Sequence, residues 1–193
     1  MVVGLGNPGP EYEASRHNVG FRVVDILAGR VGTELSRCRY RSLCLRGSLH
    51  GAEILLIKPL TFMNDSGFAV AGWQRGLHLE PGRIIVVHDD LDLPLSQLRI
   101  KIGGGHGGHR GVRSILEAVG SHGFVRVKVG IGRPRETQDA VKHVLGFFEE
   151  RENDAIQVVV QRAADAIEVL LQEGLEAAMN RYNVRDAHQS RMA

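Results

Sequence analysis

Short runs of aliphatic and β-branched residues, each closed by glycine or a polar turn, recur along the chain. They predict strands at Val2–Leu5, Glu53–Lys58, Arg83–His88, Leu98–Ile102 and Val125–Ile131. Between several of them the apolar spacing lengthens to three or four, the period of a helix with one buried face. Helices are expected over Asn18–Ala28, carrying Phe21, Val24 and Leu27, and over Asn64–Leu77, opened by the capping chemistry of Asn64-Asp65-Ser66. A third is expected over His109–Val119 through Val112, Ile115 and Leu116, with two more at about Thr137–Phe148 and Asn153–Glu173. Strands that alternate with helices predict an α/β layer architecture, with a largely parallel sheet covered on both faces. No repeat, low-complexity tract or long linker interrupts the 193 residues. One domain spanning 1–193 is expected, with a looser tail after about residue 183.

Composition excludes more than it identifies. Hydrophobic residues at 43% and charged residues at 24% are those of a globular protein, not of a disordered tail, a collagen or a coiled coil. No apolar run approaches the roughly 18 residues of a membrane span. The chain enters a strand pattern at Val2, which leaves no room for a signal peptide. Cys38 and Cys44, six residues apart in an arginine-rich stretch, could close a loop, but nothing else points to secretion. Reduced thiols and a cytoplasmic protein are the expectation.

Where glycine and charge sit matters more than how much there is. The chain has 24 glycines, and they cluster in the connections after strands: Gly4, Gly6 and Gly9, then the run from Gly103 to Gly111, then Gly130 and Gly132. Glycine lets a backbone approach a ligand closely, and open α/β sheets bind ligands at the carboxyl ends of their strands. The formal net charge is only +2. Yet Leu95–Arg135 holds Arg99, Lys101, Arg110, Arg113, Arg126, Lys128, Arg133 and Arg135 against a single acid, Glu117. Such a zone either lies in solvent as a charged face or takes a polyanion, by neutralising phosphates and releasing their counterions.

Several motifs invite specific chemistry. Gly4-Leu5-Gly6-Asn7-Pro8-Gly9 matches the dinucleotide-binding pattern, but Pro8 removes a backbone N–H and the next helix pattern begins only near Asn18. The acidic residue expected about 20 positions further on is also missing. A tight turn accounts for the glycines without accounting for Asn7. His17 precedes the first helix, and His88-Asp89-Asp90 ends a buried strand. An imidazole beside a carboxylate is the pair that activates water, although spacing alone leaves open whether Asp89 reaches His17. His106-Gly107-Gly108-His109 suggests a metal, but its spacing and intervening glycines do not suit a helical ligand pair; a loop offering N–H groups and imidazoles to an anion or to sugar hydroxyls fits better. Asn64 is either a helix cap or a site residue. No serine or cysteine sits in nucleophile-elbow context.

Taken together, five segments resemble the bacterial-type peptidyl-tRNA hydrolase family: Gly4–Tyr12 with Arg16-His17-Asn18, Thr61–Gly67, His88–Pro94, Gly103–Gly111, and Val129–Pro134. They follow the family's order and cover nearly the whole chain. The resemblance implies a monomeric α/β domain with a twisted mixed sheet. It also implies metal-free, cofactor-free hydrolysis of the ester between a peptide and the 3′-terminal ribose of tRNA. Carried over, His17 is the base that activates water and Asp89 the carboxylate that orients it. Asn7 and Asn64 hold the peptide or its carbonyl, Tyr12 and Met63 shape the pocket, and His109 stands at its rim. Arg99, Lys101 and Lys128 match basic tRNA-binding positions. Arg110 stands where the family commonly has asparagine, so it serves as a cationic donor to substrate or turns outward to phosphate. The alternative class is a non-hydrolytic RNA-binding relative of the same fold.

Overall fold

A computed structural model describes residues 1–134 and 139–183, and seven strands make up its single sheet. They are β1 (Val2–Gly4), β2 (Ser36–Cys38), β3 (Ser42–Leu49), β4 (Ala52–Pro59), β5 (Ile85–Asp90), β6 (Leu98–Ile102) and β7 (Val125–Gly130), in the order β2-β3-β4-β1-β5-β7-β6. The central strands β4, β1, β5 and β7 are parallel, while β3 pairs antiparallel with β4, β2 antiparallel with β3, and β6 antiparallel with β7. The mixed, largely parallel sheet agrees with the expected fold class.

Successive residues of the central strands point to opposite faces, and both faces are covered. Val2, Leu56, Ile85 and Val87 join one core with helices α1 (Val19–Val31), α5 (Asn153–Glu173) and α6 (Leu175–Tyr182). Val3, Leu55, Ile57 and Val86 join a second core with α2 (Ser66–Gly76) and α3 (Arg110–Val119). In α5 the buried Ile156, Val159, Val160, Ala163, Ala164 and Ile167 keep the three-and-four spacing that turns one stripe to the sheet.

The first glycine motif serves packing. A Cβ on Gly4 would stand 2.2 Å from the Gly20 carbonyl oxygen, and one on Gly20 would stand 2.4 Å from the Leu5 nitrogen. β1 and α1 therefore meet backbone to backbone, which only glycine at both positions permits. Two short 3-10 turns, Pro10–Tyr12 and Arg16–Asn18, separate the motif from α1, so no helix N-terminus meets its loop.

Several boundaries differ from the periodicity. β2 and β3 were not expected, because Arg37, Arg39, Arg41 and Arg46 mask the apolar alternation around Leu43, Cys44 and Leu45. Helix α6 was missed as well. The helix expected from Thr137 is the short α4 (Ala140–Leu145), capped by Asp139, which accepts the Val141 N–H at 2.6 Å. Arg135, Thr137 and the tail after residue 183 lie outside the described residues. Asn64 and Asp65 belong to a 3-10 turn, Met63–Asp65, and neither side chain caps α2. Ser66 Oγ instead donates to the Met63 carbonyl at 2.9 Å.

The expectation of reduced cysteines is also corrected. The β2–β3 turn, with Tyr40 and Arg41 at positive φ, sets Cys38 opposite Ser42 and brings Cys44 to the adjacent diagonal. The two Cα atoms lie 5.8 Å apart and the side chains form a disulfide. The expectation rests on compartment, not on spacing; the hairpin register supplies the proximity. Among the described residues no helix is long and apolar enough to cross a membrane.

Candidate active site

The carboxyl ends of the three parallel strands β4, β1 and β5 converge on one cavity of about 380 Å³. Asn7 arrives from the segment after β1, Met63 and Asn64 from the turn after β4, and Asp89 from the end of β5. His17 comes from the 3-10 turn before α1, and Tyr12 from the one before that. His109 and Arg110 enter from the start of α3, and Lys101 and Lys128 from the edge pair β6–β7. Arg99 is the one expected site residue that does not line the cavity.

Asp89 is the centre of the buried polar cluster. His17 Nδ1 lies 2.7 Å from its Oδ1, and His109 Nε2 lies 3.0 Å from the same oxygen. A carboxylate only accepts, so both ring nitrogens carry hydrogen, and His17 Nε2 is left bare on a ring that lines the cavity. Burial would raise the Asp89 carboxyl, but His17 and then His109, whose N–H groups both face it, outweigh burial and hold the group well below the usual carboxylate range. His109 is not at the rim as expected. Its side chain is 7% exposed and closes the pocket from beneath, its ring tilted against His17.

Two neighbours escaped the sequence reading. His88 donates from Nδ1 to the Asp89 carbonyl at 2.6 Å, and its Nε2 is buried without a partner. Burial, then the nearby His109, pushes this imidazole well below its ordinary value and keeps it neutral. Asn18 fixes Asn7 by two bonds: its Oδ1 accepts the Asn7 N–H at 2.8 Å, and its Nδ2 donates to the Asn7 carbonyl at 3.0 Å. Asn7 Oδ1 in turn accepts the Met63 N–H at 2.8 Å, which leaves its amide NH₂ as the group to offer a ligand. Asn64 is exposed, and its Nδ2 donates to Asp65 at 3.3 Å.

His17, Asp89 and His109 place three possible ligand atoms within 4.8 Å, a spacing that raises the question of a metal. The bonds of His109 argue against it. Its Nδ1 accepts the Gly111 and Val112 N–H groups at 3.2 and 3.3 Å, so the ring proton sits on Nε2, the atom that would have to ligate.

The other wall is cationic. In the β6–β7 register Arg99 lies opposite Lys128 and Lys101 opposite Arg126, while Ile100 and Val127 turn to the core. Like charges directly across a ladder are unfavourable unless something compensates them. Desolvation, then Arg126, Lys128 and Arg99, lowers the Lys101 ammonium. Lys128 pairs with Asp90. Arg126 was not singled out from the sequence. It is only 2% exposed and donates to the carbonyls of Gly103, Gly104 and Gly105, at 2.7 Å for Gly105. The glycine loop thus wraps a guanidinium instead of presenting N–H groups there, and positive φ at Gly103 and Gly104 makes the wrap possible. The sequence signal was the alternation Val125-Arg126-Val127-Lys128, which puts both cations on one strand face.

Fold and site define an α/β protein with a buried imidazole–carboxylate pair beside a cationic wall. Comparison with known proteins narrows the class. A family profile described as peptidyl-tRNA hydrolase matches residues 1–191. The peptidyl-tRNA hydrolase of Syntrophotalea carbinolica is 44% identical over 96% of this chain and 97% of its own. That of Rhodococcus opacus is 47% identical over 94% and 96%. A crystal structure of peptidyl-tRNA hydrolase from Acinetobacter baumannii superposes with a TM-score of 0.91 at 35% identity, covering 96% of this chain and 94% of that one. The chain belongs to the peptidyl-tRNA hydrolase family.

Proposed function

We propose that this chain hydrolyses the ester between a peptide and the 3′-terminal ribose of tRNA, through a water activated by His17. The observation that carries the proposal is the buried His17–Asp89 pair in a cavity whose other wall is a strip of cations, in a member of this family. His17 Nε2 takes a proton from water as the oxygen attacks the ester carbonyl. Ionised Asp89 stabilises the resulting imidazolium and keeps its ring oriented. The NH₂ groups of Asn7 and Asn64 hold the carbonyl oxygen as it gains charge; one such donor is typically worth about 10²–10³ in rate. The imidazolium then returns its proton to the departing ribose oxygen, which leaves free tRNA and a peptide carboxylate.

Met63 and Tyr12 shape the peptide side of the pocket. Arg110, exposed at the cavity lining, meets substrate as a cation where an amide would only donate a hydrogen bond. Arg99, Lys101 and Lys128 take the phosphates of the acceptor end, while buried Arg126 holds the glycine loop beside them, which confers preference for the polyanion without base readout. The enzyme works as a monomer in the cytoplasm and needs no metal. The test is release of peptide from N-acylated aminoacyl-tRNA, with free aminoacyl-tRNA as control. Binding of tRNA without release would instead support a non-hydrolytic relative.

A further inference from the structure

His109 occupies a position that the proposed reaction does not require of it, and its bonds leave the ring no freedom. It is the N-cap of α3, with extended backbone at φ −72° and ψ 111°. Helix N-caps are usually serine, threonine, aspartate or asparagine, because a side-chain oxygen must accept the free N–H groups of the first turn. Here a ring nitrogen does so: His109 Nδ1 accepts from Gly111 at 3.2 Å and from Val112 at 3.3 Å. An accepting nitrogen carries no hydrogen. Protonating it would turn two bonds into repulsions at the positive end of a helix. The only hydrogen left for the ring is on Nε2, and that nitrogen points at Asp89 Oδ1 from 3.0 Å.

We propose that His109 is a positioning residue: by capping α3 it is locked as the neutral Nε2–H tautomer, and in that state it holds the Asp89 carboxylate where His17 needs it. The proposal rests on the assignment of His17 as the base. Asp89 Oδ1 receives two N–H groups, one from each imidazole, so it is held from two directions. The His17 ring is thereby kept with Nδ1–H on the carboxylate and bare Nε2 in the cavity. A mobile His109 would let the carboxylate turn and the imidazole follow. A charged His109 would compete with His17 for the same carboxylate. The cap prevents both outcomes. The charged or titratable groups around the ring are His17 from its 3-10 turn, Asp89 and His88 from β5, and Arg110 next in the chain, with Lys101 and Lys128 across the cavity. None of them offers Nδ1 an acceptor that would reward protonation.

The two jobs of His109 separate by substitution. His109→Asn keeps an acceptor at the position of Nδ1, and so the cap, but is too short to donate to Asp89. His109→Gln places an amide N–H near the position of Nε2 and gives up the cap. Peptide release is measured for both beside the wild type, with melting temperature and the pH dependence of kcat. His109→Asn is expected to keep its melting temperature and KM while kcat falls about tenfold, the lower end of what loss of a buried supporting partner costs. Its acid limb is expected to move to higher pH, because an unshared carboxylate charge favours the His17 imidazolium more strongly. His109→Gln is expected to melt about 2–4 °C lower, as loss of one cap implies for a chain of this size, and to lose less kcat than His109→Asn, because the donor to Asp89 is kept but no longer anchored. In ¹⁵N NMR of the wild type, His109 Nδ1 should remain unprotonated across the active pH range.

Wild-type kcat and pH profile in His109→Asn would overturn the proposal, as would a loss confined to KM, or a doubly protonated His109 at neutral pH. A wild-type protein that releases no peptide would instead sink the assigned activity. The NMR measurement would then still decide the tautomer.

Discussion

The two walls of the cavity manage charge in opposite ways. Around Asp89, the nitrogens of His17 and His109 that meet the carboxylate have fixed partners, and the carboxylate is flanked on two sides by N–H groups. Across the cavity, Arg99 faces Lys128 and Lys101 faces Arg126, with Asp90 as a single compensating acid bound to Lys128. The difference follows from the two tasks. A proton can be moved reliably only between atoms whose tautomers are already decided. A polyanion is attracted only by charge that the protein has not already neutralised. One wall therefore pairs its carboxylate within the protein, while the other leaves Arg99 and Lys101 facing compensated cations.

Four experiments would break or sharpen that contrast. The largest effect belongs to His17→Ala, which should reduce kcat by about 10²–10⁴ while leaving tRNA affinity and melting temperature near wild type. Turnover close to normal would end the assignment of His17. Next come the cations. Lys101→Ala should flatten the dependence of log Kd on log salt by about 1, the share of one phosphate contact. Lys128→Ala should flatten it less, because Asp90 already neutralises that ammonium. Equal slopes would show that the distinction between free and paired cations is wrong.

A smaller effect tests the satisfied wall through stability. Burial holds His88 neutral in the folded state, well below the ordinary histidine value of 6.5, whereas the unfolded chain binds a proton as the pH falls through that value. Stability should therefore decline on going from about pH 7 to about pH 5, and His88→Gln should flatten the decline in a urea titration. An unchanged slope would mean that His88 already titrates when folded. The least effect on turnover is expected from Cys38→Ser. A disulfide closing so short a loop contributes about 2 kcal/mol or less, and Cys38 does not line the cavity. A thiol count on protein alkylated at lysis would show whether the bond is present in the cell.

How legible each part was in the sequence depended on the range over which it is determined. The runs Val2–Val3, Ile85–Val87 and Val125–Val129 announce buried parallel strands because both their faces are covered, and α5 announces itself by its stripe. β3 does not, because its apolar residues are interspersed with serine, arginine and glycine, and it gains its strand character by pairing with β4 along eight residues. The same holds at the site. His17, Asp89, Asn7 and Asn64 sit in motifs that can be read locally. The role of Arg126 depends on three carbonyls more than 20 positions earlier, and the tautomer of His109 depends on which residue starts α3. Neither is a property of a short window. The disulfide differs in kind: spacing allowed it, and the expectation of thiols came from the inferred compartment, which says nothing about the hairpin register.

The contact between Gly4 and Gly20 has a consequence for how this enzyme can change over time. Because each glycine excludes any side chain at the other, no single substitution at either position opens a path to a variant with larger residues at both. The strand that leads to Asn7 and the helix that follows His17 are thus bound into one heritable unit. The separation of the amide from the base is kept by two residues that do not line the cavity.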